Sequence, residues 1–84
     1  MDRLSKLPNI GKVLEQKLID AGVKNADELK VIGSKEAFIK IKNIDDTSCY
    51  NMLCALEGAI QGVRWHELSE DIKQDLKFFF QSLK

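Results

Sequence analysis

The chain has 84 residues, room for one domain built around one hydrophobic core. Its 44% apolar content is ordinary for a soluble globular protein, and no apolar run approaches the roughly 20 residues of a membrane helix. Thirteen basic and thirteen acidic side chains cancel, which argues against a strong non-specific nucleic-acid binder. The balance is uneven along the chain. Residues 1–42 carry nine basic and six acidic groups, net +3, and residues 43–84 carry four and seven, net −3.

Apolar spacing is helical nearly throughout and strand-like nowhere, so the expectation is an all-α fold: a compact bundle of five to six short helices over residues 1–84. A short helix or turn at residues 2–6 supplies Leu4. Pro8 then breaks the chain, and Asn9 and Gly11 suit a sharp bend at residues 7–11. A helix follows from about 11 to 21, with Val13, Leu14, Leu18 and Ile19 inward and Gly22 as its stop.

Asn25, three residues before Glu28, marks the start of a third helix with Leu29 and Ile32 on its buried face. Gly33 ends it, and Ser34 caps a fourth helix at 35–42 that buries Ala37, Phe38 and Ile41. Asp45 and Asp46 suit the start of a fifth helix, about 48–61, carrying Cys49, Met52, Leu53, Leu56, Ala59 and Ile60. Gly58 and Gly62 there offer a small surface for a neighbouring helix. Ser69 caps the last helix, about 70–83, whose stripe is Ile72, Leu76, Phe79, Phe80 and Leu83. Phe78 falls off that stripe, as a docking spot if exposed or, as is commoner, as a half-buried ring at an edge.

The bend repeats faintly. Leu7-x-x-Ile10-Gly11 recurs as Leu29-x-x-Ile32-Gly33, each ahead of a helix, which predicts two packed hairpins of helix-hairpin-helix type. The second copy, at 29–33, lacks the proline.

No enzyme signature is present. There is no Gly-x-Ser-x-Gly, no phosphate loop and no His-Glu-x-x-His. Cys49 and Cys54 lie on one predicted helix with α-carbons roughly 8–9 Å apart, too far for a disulfide. Five positions apart on a helix they diverge, and His66 is the sole histidine, so neither a zinc site nor a nucleophile–base pair assembles. No metal, cofactor or catalytic residue is expected. The N-terminus has no hydrophobic stretch of a secretion signal, and the chain reads as cytoplasmic with reduced thiols.

The chain resembles the C-terminal domain of the TfoX/Sxy family, bacterial regulators of competence for DNA transformation. The resemblance is carried by Leu7-Pro8-Asn9-Ile10-Gly11, Leu18-x-x-x-Gly22-Val23, Glu28-Leu29 and Ile32-Gly33-x-x-x-Ala37-Phe38. Residues 51–60, Asn-Met-Leu-Cys-Ala-Leu-Glu-Gly-Ala-Ile, and Trp65-His66-Glu67-Leu68 carry it most specifically. It implies an all-helical module that works in transcription of competence genes beside a cyclic-AMP-responsive activator. It implies fold more firmly than function.

Two functions compete. In the first, backbone amides at Asn9, Ile10, Gly11, Lys12 and Val13 grip a phosphate of double-stranded DNA. A helix start leaves amides unbonded at the positive end of its dipole, and Lys6, Lys12 and Lys17 add attraction. Lys35, Lys40, Lys42 and Arg64 extend this basic face, or are a solvated surface. The bland alternative for the bend is a turn that only plugs the core with Ile10. In the second function, the hairpins or a surface at Trp65 and Phe78 dock a transcription regulator or other protein. The alternative there is that Trp65 and Leu68 pin the last helix while His66 and Glu67 bond locally.

Overall fold

Two helices are started, and two are stopped, by short-range chemistry visible in the chain. In the computed structural model, which describes residues 3–83, α1 spans Lys12–Asp20, α2 Ala26–Ile44, α3 Tyr50–Gln61 and α4 Glu70–Ser82. Two single 3₁₀ turns, Leu4–Lys6 and Trp65–Glu67, precede α1 and α4. No strand occurs among the described residues. The Asp2 end of the expected first turn lies outside them.

Asn25 caps α2 by accepting from the Glu28 amide at 2.9 Å, and Ser69 caps α4 by accepting from the Ile72 amide at 3.3 Å. After α1, the Gly22 amide donates to the Ile19 carbonyl and the Val23 amide to that of Leu18, closing the helix end with paired bonds. The Gly62 and Val63 amides repeat this on Ala59 and Gly58 after α3.

The expectation of five to six helices is corrected to four. The predicted third and fourth helices run together as α2, bent at Gly33, whose φ of 84° and ψ of 167° are non-helical. Ser34 therefore does not act as a separate N-cap; its hydroxyl donates to the Glu57 carboxylate at 2.6 Å. The helix-hairpin-helix expectation is not met either. A three-residue 3₁₀ turn, not a helix, precedes the bend at Pro8, and the second copy is a kink inside α2.

The core joins all four helices through Leu4, Leu18, Leu29, Phe38, Ile41, Leu53, Leu56 and Leu76, each at most 1% exposed. Phe38 meets Phe80 edge-on at 5.9 Å between centroids, and Phe80 meets Tyr50 likewise. Burial supplies the main driving force, about 1.5–3 kcal/mol for each large side chain before the loss of conformational entropy.

Four further expectations are corrected. Val13 and Ile19 are 73% and 40% exposed, because α1 presses only its Leu14–Leu18 face on the bundle. Cys49 is an exposed N-cap outside α3. Asp45 and Asp46 precede that cap by several residues, and the first turn of α3 has no acid. Gly58 does not seat a neighbouring helix. A Cβ there would stand 2.6 Å from Asn9 Nδ2 and 2.8 Å from the Val63 carbonyl, so its missing side chain admits a loop.

Candidate nucleic-acid interface

The bend at residues 7–11 is built by one left-handed residue. Asn9 has φ 69°, a conformation that asparagine tolerates better than most side chains. Gly11 is extended, with φ −93° and ψ −174°, and serves as N-cap of α1 without a side-chain bond. Its carbonyl accepts from the Glu15 amide at 2.9 Å, which starts the helix. The amides of Gly11, Lys12 and Val13 donate to no protein oxygen among the described residues, and all three residues are exposed. They point out of the positive end of a helix dipole.

The side chains around them divide sharply. Lys6 and Lys12 are exposed and enter no ion pair among the described residues. Lys17 is bound to the Asp45 carboxylate, tying α1 to the end of α2. That bond, followed by those from the Thr47 hydroxyl and amide, holds the Asp45 carboxyl far below the usual carboxylate range. Ile10 is 5% exposed and plugs the core. Glu15, the acid in the first turn of α1, accepts from the Ser5 amide at 3.2 Å and pairs with Arg3 at 3.6 Å. Its charge is thus partly compensated beside the open amides.

Asn9 faces the protein. Its Nδ2 donates to the Val63 carbonyl at 3.0 Å and to that of Ala55 at 3.4 Å. Its Oδ1 accepts from the Trp65 amide at 3.2 Å. The partners lie 46–56 positions away, and no local pattern in the chain marks them; the small residue at Gly58 was the nearest signal.

Trp65 and Phe78 are 43% and 71% exposed. The Trp65 ring stands perpendicular to that of His66 at 5.8 Å. Leu68, 4% exposed, pins this turn to the core; Glu67 accepts from the Arg64 amide, and the His66 carbonyl accepts from Lys73 Nζ. Phe78 borders a shallow depression with Gln74, Lys77 and Gln81. From the predicted basic extension, Lys35 is paired with Asp75 at 2.6 Å. No cluster of three or more histidine, cysteine, aspartate or glutamate side chains suited to a metal occurs among the described residues. No helix among them is long and apolar enough to cross a membrane.

The TfoX C-terminal domain profile matches residues 1–80. Protein Sxy of Escherichia coli K12 is 30% identical over 82 residues, covering 98% of this chain. The chain spans 39% of that protein's length. Two crystal structures from Listeria monocytogenes, both of proteins without a described function, superpose with TM-scores of 0.94. The triclinic form is 61% identical and covers 95% of this chain and 91% of its own; the tetragonal form is 60% identical and covers 96% and 99%. With the profile matched from the bend at Pro8 through nearly all of α4, this chain belongs to the TfoX C-terminal domain family.

Proposed function

We propose that this domain is a non-enzymatic module in the regulation of competence for DNA transformation, and that it holds the DNA backbone without reading sequence. Family membership supports the regulatory half of this reading. The observation that carries the other half is the open start of α1: the Gly11, Lys12 and Val13 amides without protein acceptors, beside exposed Lys6 and Lys12. Backbone donors and unpaired lysines suit a phosphate, and phosphate contacts position a protein without selecting bases. Lys17 and Asn9 serve the fold in the free protein, so the contact set narrows to residues 11–13 with Lys6 and Lys12.

An NMR titration with a short DNA duplex tests this directly. Shifts should concentrate on the Gly11–Val13 amides, and log affinity should fall by about 0.9 per decade of salt for each phosphate neutralised. No salt-dependent shift even at low ionic strength discards the mechanism.

The second reading, a protein-docking module, draws on the exposure of Phe78 and Trp65. A regulator captured by the intact chain and lost on Phe78→Ala, with duplex shifts absent, selects it.

A further inference from the structure

We infer that Asn9 is a positioning residue, whose carboxamide clamps the bend before α1 to the corner after α3 and thereby sets the direction of the amides at 11–13. The functional meaning of that direction rests on the phosphate-binding reading; the clamp itself does not.

The carboxamide spans two carbonyls and one amide, so every bond it makes is to backbone. It donates to Ala55 in the second turn of α3 and to Val63 beyond the helix end, and it accepts from Trp65. One side chain thus ties three points of a corner to a bend that local interactions hold weakly. Within the bend itself, the Ile10 amide reaches the Leu7 carbonyl at a long 3.4 Å, and Asn9 sits at positive φ. The corner is made for this approach. Gly58 leaves the space that Asn9 Nδ2 and the Val63 carbonyl occupy, and a methyl group there would collide with both. Asparagine alone among side chains of this size both donates and accepts through one planar group. It also tolerates the left-handed backbone, which ties its selection to this place. A load placed on the Trp65–Glu67 turn would therefore reach the start of α1 through Asn9.

Asn9→Gly keeps the left-handed backbone and removes all three bonds; Asn9→Asp keeps the acceptor and sets a carboxylate against two carbonyls. Hydrogen exchange of the DNA-free full chain is the readout. Both variants should speed exchange at the Ile10 and Val63 amides, neither of which bonds to Asn9, by roughly tenfold, the loss expected of about one net hydrogen bond. Amides in α4 should keep their rates, which separates release of the clamp from unfolding. Gly58→Ala, with Asn9 intact, should speed the same two amides. Acceleration confined to Trp65, or none, overturns the proposal, because Asn9 would then merely cap one amide. If the duplex never shifts the native protein while Ile10 and Val63 still respond together, the clamp stands and the phosphate reading falls. If the duplex binds and the two amides do not respond, the clamp falls and the phosphate reading stands.

Discussion

At residues 7–11 and again at 29–33 the chain runs Leu-x-x-Ile-Gly, and the two copies end in different surroundings. In the first, the left-handed residue is Asn9, Gly11 is extended, and α1 opens outward with amides free. In the second, the left-handed residue is Gly33 itself, and the helix resumes against α3 and α4. There Ser34 donates to Glu57 and Lys35 pairs with Asp75, so two carboxylates line the hollow beside the kink. An anion approaching that place meets negative charge already installed. The same five-residue pattern leaves helix-start amides open at one corner and sets two carboxylates beside the other, and the neighbouring helix contributes that difference.

Four tests would break or sharpen this contrast. Phe38→Ala removes the fully buried ring behind the second corner and its edge contact with Phe80. It should cost about 3–5 kcal/mol in denaturant unfolding, and a cost below about 1 kcal/mol would show that the core does not hold the kinked helix in place. Next come the two glycines. Gly33→Ala forces a side chain into φ 84°, ψ 167° and should cost about 1–3 kcal/mol, although nothing within 4 Å obstructs it. Gly11→Ala meets neither strain nor neighbours and should stay within about 0.5 kcal/mol. Equal effects would mean that the two corners are conformationally alike after all.

Charge reversal tests receptiveness. Lys12→Glu should lower affinity for a short duplex by roughly tenfold at low salt, with the difference shrinking as salt rises. Lys35→Glu, at the closed corner, should leave binding unchanged. Equal losses from both would point to general charge attraction rather than a site.

The smallest effect concerns Asp45, whose link to Lys17 steadies α1 behind the open corner. Its carboxyl is held below the ordinary value of 3.8, so the folded state favours the charged form. That stabilisation is complete above the unfolded value and is lost as pH falls through the lower, folded one. The stability difference between the native chain and Asp45→Asn should therefore be constant near neutrality and vanish in acid. Because both side chains keep contact with solvent, the difference should be slight.

Much of this architecture could be read residue by residue. Asn25 and Ser69 cap helices, Gly22 closes one, and the stripe around Leu76 turns inward, because capping and helical periodicity act within about four residues. The same periodicity set Phe78 off that stripe, and only the packing left its ring exposed instead of half-buried at an edge. Val13 and Ile19 did not yield to it. An amphipathic stripe states which face is apolar, while the width of the neighbour decides how much of that face is covered.

The site divides along the same line. That a helix begins after Gly11 with unbonded amides is a consequence of covalent geometry and of a proline–glycine bend, legible in five letters. That Asn9 turns inward to residues beyond position 54, that Lys17 is consumed by Asp45, and that Ser34 meets Glu57 depend on how α2 and α3 pack. Groups separated by 23 to 56 positions become partners only once the core has brought their helices together, and no short-range rule encodes that encounter.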